Sequence, residues 1–274
     1  MSARLRVIAV AGGKGGVGKT QLAVNLAVEL SALGERVLLI DGDVGLCNAD
    51  LLLAVTPTLG LGDVVAGRAS IEEVLVASPH GPTVLSGRGR DGVSDEALDD
   101  HEALALLGAL DSIGERFDVV VIDTAAGIGR NSLFFAGAAE EVVLVTTPEP
   151  TALTDTYATA RALLRRSSRT RIGLVVNQAM GPTIAAAVHG RLRSLVSQFL
   201  SADVQLLGWL PFDPWVHDAV MHHAPFVAAR PGAPASHQLR ALAARLRDLP
   251  IASHDGPADL RFFWSTLQAH GASR

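Results

Sequence analysis

A glycine-rich segment, residues 13–20, constrains the fold more than any other feature of the sequence. It directly follows an apolar stretch, directly precedes a helical pattern, and fits the spacing G-x-x-x-x-G-K-[ST]. Glycines permit positive φ angles and bring successive backbone N–H groups against phosphate oxygens, and the first turn of the following helix adds partial positive charge. Lys19 would reach the β- and γ-phosphates, and the Thr20 hydroxyl would ligate Mg²⁺. The segment therefore predicts a P-loop that binds a nucleoside triphosphate.

Lysine is confined to this loop. Lys14 and Lys19 are the two lysines among 23 basic residues, and the others are arginine. Because the compact ammonium of lysine and the planar guanidinium of arginine are not interchangeable, both positions are predicted to need an ammonium. The predicted nucleotide-binding residues of this region are Gly13, Lys14, Gly15, Gly16, Val17, Gly18, Lys19, Thr20 and Gln21.

Short apolar runs alternate with helical patterns along the chain. The runs that predict buried strands lie at residues 5–11, 36–40, 117–122, 141–146, 171–176 and 204–207. The clearest helical patterns lie at residues 19–33, 101–113, 154–166 and 183–200. This alternation implies right-handed crossovers and a parallel sheet covered on both faces. The predicted fold class is α/β, a P-loop NTPase with a mostly parallel, doubly wound sheet and a short C-terminal amphipathic helix.

Composition excludes several classes of protein and partner. The 274 residues are 49% hydrophobic and 19% charged, which is enough to bury one sizeable core and excludes disordered and fibrous classes. The net charge of −5 and the lack of a dense basic run argue against a nucleic-acid partner. Cys47 is the one cysteine, so no internal disulfide forms. No signal peptide or membrane-spanning run is recognisable, and we expect a cytoplasmic protein.

Acidic residues follow two of the predicted strands. Asp41 and Asp43 come after the run at residues 36–40, and Asp123 comes after the run at residues 117–122. Ligands of open α/β sheets bind at the carboxyl ends of strands, so these carboxylates are predicted to face the P-loop. Asp123 would hold Mg²⁺ through water there, and Gly127 would let the following loop move with γ-phosphate occupancy. Taken alone, an Asp-Gly-Asp sequence is more often a simple turn, and its place after the P-loop strand and helix favours the site instead.

Asn177 follows another predicted strand and is the candidate reader of the base. Its side-chain amide offers a donor and an acceptor to an adenine edge. The sequence contains no N-K-x-D motif of the kind that reads guanine, so ATP is expected over GTP. The alternative interpretation of Asn177 is a turn residue at the end of a strand.

Lys14 inside the loop gives the sequence K-G-G-V-G-K-T, which resembles the deviant Walker A motif of the MinD/ParA ATPases. The resemblance implies that Lys14 reaches the nucleotide of a partner subunit in an ATP-bound homodimer. Lys19 would bind the nucleotide of its own subunit. The family couples this dimerisation to ATP hydrolysis with Mg²⁺, so the resemblance implies an ATPase that is slow without a partner.

The segment that begins at Asp41 has the D-x-D-x-G-L-x-N form of the same family's second motif. By resemblance, Asp43 orients the attacking water and Asp41 is hydrogen-bonded to a Mg²⁺-bound water. Asn48 would lie in the first switch segment, which moves with the state of the nucleotide. Resemblance also makes the loop at residues 211–213 a flank of the base, through Pro211 and Asp213.

The resemblance covers residues 5–249 and is strongest to the FlhG branch, also called FleN, with MinD as a near neighbour. The stretches that carry it are residues 45–53, 123–128, 147–151 and 211–213. This branch implies an ATP-dependent switch that regulates the placement or number of flagella. The partners it implies are a flagellar C-ring protein, a flagellar transcription activator and an FlhF-like GTPase. The first strand pattern starts a few residues after Met1, so we expect no FlhF-stimulating extension before it.

Three other functions are compatible with part of the sequence. Within the same family, the alternative is MinD-like placement of the division site or of another polar structure. A small-molecule P-loop kinase or ligase is disfavoured by Lys14 and by the amphipathic tail. An ATP-dependent scaffold that delivers metal clusters is disfavoured by the single cysteine.

The end of the chain has an amphipathic helical pattern. We expect residues 1–249 to form a MinD-like ATPase domain, 250–258 a linker, and 259–274 a helix that binds the cytoplasmic membrane surface. One copy would bind weakly, and two copies in an ATP dimer would raise the avidity. The alternative is a helix docked on its own domain. The apolar residues, at positions i, i+3, i+4 and i+7 with one neighbour, are Leu260, Phe263, Trp264, Leu267 and Phe262.

Overall fold

The computed structural model describes residues 5–43, 48–88, 98–166 and 170–250. Their strands are β1 Arg6–Ala11, β2 Val37–Gly42, β3 Leu75–Ala77, β4 Thr83–Leu85, β5 Val119–Thr124, β6 Glu141–Thr146, β7 Arg171–Ala179 and β8 Gln205–Pro211. They form one sheet in the order β3-β4-β2-β5-β1-β6-β7-β8. All neighbours are parallel except β3 and β4, which pair antiparallel. The predicted fold class is confirmed.

Helices cover both faces of this sheet. The central strands β1, β2, β5 and β6 are buried throughout, as expected for parallel strands packed on two sides. The helices are α1 Lys19–Ala32, α2 Asn48–Leu52, α3 Leu61–Val65, α4 Asp100–Ile113, α5 Arg130–Gly137, α6 Pro150–Arg166, α7 Pro182–Leu200, α8 Pro214–Met221, α9 Phe226–Ala229 and α10 Pro234–Asp248. Side chains of α4, α5 and α7 build one core, and those of α1, α9 and α10 build the other.

The structure adds elements that the sequence patterns did not predict. The hairpin β3–β4 consists of two three-residue strands around a turn that contains Pro79, Gly81 and Pro82. Such short strands carry too few residues for an alternating pattern. Helix α10 was also missed, although Leu239, Leu242 and Leu246 follow the helical period and are buried in the second core.

The strands extend further towards the site than their apolar runs indicated. Strand β2 includes Asp41, β5 includes Asp123 and β8 includes Pro211. Asp41 and Asp123 are register partners of adjacent strands. The two carboxylates therefore stand side by side on the rigid sheet, at its carboxyl edge.

Helix α10 crosses the whole height of the sheet. Near its start, the Ala235 N–H donates to Asp213, just beyond the carboxyl end of β8. Near its end, the Arg6 guanidinium donates to the carbonyls of Leu246 and Leu249 and pairs with Glu141 at 3.2 Å. Because Arg6 is the first residue of β1, the C-terminal end of α10 lies at the edge opposite the P-loop.

The predicted C-terminal helix and nearly all of the predicted linker, residues 251–274, lie outside the described residues. Within the described ranges, no helix is long and apolar enough to cross a membrane.

Candidate nucleotide-binding site

The glycine-rich loop connects β1 directly to α1. Gly16 and Gly18 have φ angles of 78° and 95°, in the left-handed region that favours glycine. A Cβ atom on Gly15 or Gly16 would meet nothing within 4 Å, so this part of the loop faces open space. No side chain in the described part of the chain caps the first turn of α1. The N–H groups of that turn can therefore donate hydrogen bonds to an anion.

Other glycines of the loop are packed against the rest of the site. A Cβ atom on Gly13 would lie 2.2 Å from the Asp155 carbonyl oxygen in α6. A Cβ atom on Gly18 would lie 2.3 Å from the side-chain nitrogen of Asn177. The sequence predicted glycine at these positions because the backbone must approach phosphate closely. In the structure, the missing side chains also leave room for α6 and Asn177.

Lys19 is held inside the loop. Its side chain is buried, and its Nζ lies 3.4 Å from the Lys14 carbonyl oxygen. Burial lowers the pKa of Lys19, while the carboxylates of Asp123 and Asp43 raise it. An ammonium buried between a carbonyl and acidic groups is placed to interact with phosphate oxygens at the mouth of the loop.

Asp123 has the chemistry of a magnesium ligand. Its carboxylate is buried, and neither oxygen has a hydrogen-bond partner of normal geometry among the described residues. Burial raises the pKa of Asp123 to about 7, although the Thr20 hydroxyl and Lys19 lower it. Buried charge without a partner is costly, so this carboxylate fits a site completed by a cation. Oxygen atoms from Asp123 and Thr20 are the ligand type that Mg²⁺ prefers.

Asp41 links the site to the segment that follows β2. Its carboxylate accepts hydrogen bonds from the backbone N–H groups of Asp43, at 3.1 Å, and Ala49, at 3.2 Å. Burial and the charge of Asp123 raise the pKa of Asp41 well above its usual range. Asp43 itself is half-buried, and Asn48 is exposed at the start of α2. Residues 44–47 between them lie outside the described residues.

Gly127 connects the loop after β5 to the P-loop. Its N–H donates to the Gly12 carbonyl oxygen at 3.0 Å, and its φ angle is 86°. The left-handed backbone makes glycine the favoured residue here. The predicted second switch residue thus contacts the phosphate loop directly through the backbone.

Lys14 points away from the phosphate cradle. Its Nζ lies 2.6 Å from Glu149 Oε2 and 3.3 Å from the Thr151 hydroxyl, at the start of α6. The Lys14 side chain remains 40% exposed. The two lysines of the loop therefore differ in direction, since one is buried in the cradle and the other is on the surface.

A pocket of about 260 Å³ adjoins the P-loop on the side of β7 and β8. Asn177 lies at its rim, where its side-chain nitrogen donates to the Val17 carbonyl at 2.9 Å and its oxygen accepts from the Gln178 N–H at 2.9 Å. Asn177 thus braces the P-loop as well as facing the pocket. The predicted residues in the pocket wall are Gly16, Gly18, Gln21, Asn177, Pro211 and Asp213.

Asp213 has a structural role in this wall. One carboxylate oxygen accepts from the Trp215 N–H and the other from the Ala235 N–H, each at 3.0 Å. The carboxylate caps α8 and fixes the start of α10. Both side-chain oxygens already accept a bond, so a contribution of Asp213 to base binding remains a prediction.

Sequence reasoning missed several residues of the site. Phe226 lines the pocket, and Glu149 pairs with Lys14. Glu149 lies in the stretch at residues 147–151, which carried a family resemblance but no assigned role. No pattern in the sequence indicated Phe226, because it reaches the pocket from the short helix α9. The predicted membrane-binding residues 260–267 lie outside the described residues.

Comparisons with known proteins agree with this geometry. The family model described as an AAA domain matches residues 5–166. Antiactivator FleN of Pseudomonas aeruginosa is 37% identical over 270 residues, which cover 98% of this chain and 95% of that protein. Flagellum site-determining protein YlxH of Helicobacter pylori is 30% identical over 204 residues, which cover 74% of this chain and 68% of that protein. The septum site-determining protein MinD complexed with Mg-ADP from Pyrococcus horikoshii has a TM-score of 0.72 at 27% identity, covering 89% of this chain and 96% of that chain.

The fold, the P-loop and these similarities define a P-loop ATPase that uses ATP and Mg²⁺. The predictions of enzyme class and cofactors are thereby confirmed. The chain belongs to the MinD/ParA family of ATPases. One similar solved structure, at 26% identity and a TM-score of 0.72, is the MinC:MinD cell division protein complex of Aquifex aeolicus.

Proposed function

We propose that this protein is an ATP-dependent dimerising switch that regulates the placement or number of flagella. The similarity to antiactivator FleN and to a flagellum site-determining protein supports the flagellar role, and similarity to MinD supports spatial positioning in general. The observation that carries the switch is the orientation of the two lysines. Lys19 is buried in its own cradle, whereas Lys14 is exposed and turned towards α6. A phosphate-binding lysine outside its own cradle is available to the nucleotide of a second subunit.

Within one subunit, each part of the site has a separate task. The backbone of the P-loop and Lys19 bind the phosphates, and Thr20 and Asp123 would hold Mg²⁺, which would neutralise phosphate charge. Asp43 orients the attacking water. Hydrolysis depends mainly on positioning and electrostatic stabilisation, so turnover is slow until a partner completes the site.

Dimerisation transfers Lys14 from one contact to another. The exposed pair of Lys14 with Glu149 is worth about 0–1 kcal/mol, as is usual for surface ion pairs. Exchanging Glu149 for a phosphate of the partner subunit therefore costs little. The segments that include Asn48 and Gly127 respond to the γ-phosphate, since the backbone around them is hydrogen-bonded to Asp41 and to the P-loop.

The ATP dimer binds the cytoplasmic membrane surface through residues 259–274 of both subunits, and the protein is otherwise cytoplasmic. The end of α10 supports this arrangement, because Leu246 and Leu249 lie beside Arg6 at the edge opposite the P-loop. A flagellar C-ring protein, a flagellar transcription activator and an FlhF-like GTPase are the proposed partners. A division-site role of the MinD type is the outcome to consider if flagellar partners do not bind.

Light scattering of the Asp43→Ala variant, which suppresses turnover, tests the switch. The mass should double with Mg-ATP and remain that of a monomer with Mg-ADP. The Lys14→Arg variant is the matched control, because it should bind nucleotide but dimerise weakly. A monomer in both nucleotides would exclude the dimer and redirect the search to small-molecule acceptors. Flotation with liposomes tests the membrane role, since Phe263→Ser with Trp264→Ser should abolish ATP-dependent binding of the full chain.

A further inference from the structure

Helix α1 carries a polar stripe on an otherwise apolar, buried surface. Gln21, Asn25 and Glu29 are spaced by four residues and therefore lie on one face of the helix. Asn25 is completely buried, at 0% exposure, although asparagine is seldom found in the interior of a helix. A buried amide is expected to have specific partners, because an unpaired one is costly.

Asn25 bridges α1 to α9. Its side-chain nitrogen donates to the Gln21 carbonyl at 2.7 Å and lies 3.4 Å from the Gln21 side-chain oxygen. Its side-chain oxygen accepts from the Val227 N–H at 3.1 Å. Residues local to α9 provide no side-chain cap for that short helix. Asn25 thus satisfies a backbone donor in the first turn of α9, from a position 202 residues away in the sequence.

One partner of Asn25 lines the pocket beside the P-loop, and the other directly follows a residue that lines it. Gln21 lines this pocket, as does Phe226, the residue directly before Val227. Asn25 does not line the pocket itself. Asn25 lies behind the pocket wall. Its bonds to Gln21 and to the Val227 N–H set the distance between the lining residues Gln21 and Phe226.

We infer that Asn25 is a positioning residue for the nucleotide base. It keeps Gln21 and Phe226 in place before the nucleotide arrives, so base binding does not have to order α9. Preorganisation of this kind raises affinity by lowering the cost of ordering. The inference rests on the proposed placement of the base in this pocket. The pocket shares Gly16 and Gly18 with the P-loop but is not lined by Lys19 or Thr20, so Asn25 should affect base affinity far more than phosphate affinity.

The same stripe provides a matched control. Glu29 pairs with Arg240 of α10 at 3.2 Å and so also connects α1 to the C-terminal helices. Neither residue lines the pocket. Glu29→Ala therefore removes a polar contact on the same helix face without changing a residue that lines the proposed base pocket.

The test compares Mg-ADP with Mg-pyrophosphate as ligands, measured by calorimetry. Asn25→Ala should weaken ADP binding by about 3- to 10-fold, the effect of losing a typical net hydrogen bond, and change pyrophosphate binding by less than about twofold. Glu29→Ala should leave the ratio of the two affinities at its wild-type value. An equal loss of both ligands in Asn25→Ala would overturn the inference, because it would indicate general damage to the domain.

Two outcomes separate this inference from the proposed base pocket. Equal affinity of the wild-type protein for ADP and pyrophosphate would refute the pocket itself. If wild type and Asn25→Ala both prefer ADP to pyrophosphate by the same factor, the role of Asn25 is refuted and the base pocket stands. If Asn25→Ala does not fold, amide exchange in the unaltered protein replaces it. The Val227 amide should already be strongly protected without nucleotide, and an amide that exchanges rapidly until ADP binds would overturn the inference.

Discussion

Alanine substitutions at three glycines of the P-loop should separate backbone strain from packing. Gly15 has neither a positive φ angle nor a neighbour within 4 Å of a built Cβ atom. Gly16 has a φ angle of 78° and the same open space. Gly18 has a φ angle of 95°, and its Cβ atom would lie 2.3 Å from Asn177 Nδ2. The three positions therefore form a graded series within one loop.

The expected losses of stability follow from these differences. Gly15→Ala should change the free energy of unfolding by less than about 0.5 kcal/mol, as usual for exposed positions. Gly16→Ala should cost about 1–2 kcal/mol, the penalty of a left-handed residue with a Cβ atom. Gly18→Ala should cost a further ~1 kcal/mol, because Asn177 can move aside only by giving up its hydrogen bond to Val17.

Urea unfolding without nucleotide measures this series. Comparison of the midpoints at a constant m-value gives the differences in stability. Equal destabilisation of Gly16→Ala and Gly18→Ala would refute the proposed brace between Asn177 and the loop. No effect at either position would refute the left-handed conformation of the loop.

The remaining predictions concern charge. Asp123 has a pKa of about 7 in the folded protein and an ordinary value of 3.8, so the folded state binds its proton more tightly. Stability without ligand should therefore fall as pH rises from about 4 to 7, and Asp123→Asn should reduce that slope in pH-dependent urea unfolding. Glu141→Gln should destabilise the fold by about 3 kcal/mol, because it leaves Arg6 buried with a weaker partner. Nucleotide affinity should be unchanged in that variant, since Glu141 begins β6 at the opposite edge, and titration calorimetry checks this. Lys14→Arg should weaken the ATP-induced dimer at least tenfold by light scattering, because guanidinium and ammonium bind phosphate with different geometry.

The sequence was sufficient to predict the central sheet and the phosphate loop. Strands β1, β2, β5 and β6 each contain a continuous apolar run, and each is specified by residues adjacent in the chain. The loop at residues 13–18 is also local, because its glycines and lysines act within one turn of backbone. The positions of Asp41 and Asp123 followed from the rule that the carboxyl ends of parallel strands meet at one edge.

The base pocket could not be predicted in the same way. Phe226 and Gln21 line the same pocket although about 200 residues separate them, and α9, which carries Phe226, is held by Asn25. Periodicity places Asn25 on a buried face but does not identify its partner. The two hydrogen bonds of Asp213 could not be predicted for the same reason. Ala235, its second backbone donor, belongs to a helix that the sequence patterns missed.

The buried carboxylates explain why such a site responds to its ligand. Asp41 and Asp123 stand side by side in adjacent strands, and burial raises the pKa of both. Without a cation, burial of these two carboxyl groups lowers the stability of the fold, and a bound Mg²⁺ would offset that loss. Asp41 also holds the backbone of Ala49, and the P-loop holds the backbone of Gly127. A change of charge at the magnesium position therefore acts on groups that are hydrogen-bonded to both predicted switch segments. We propose that this arrangement couples nucleotide state to those two segments.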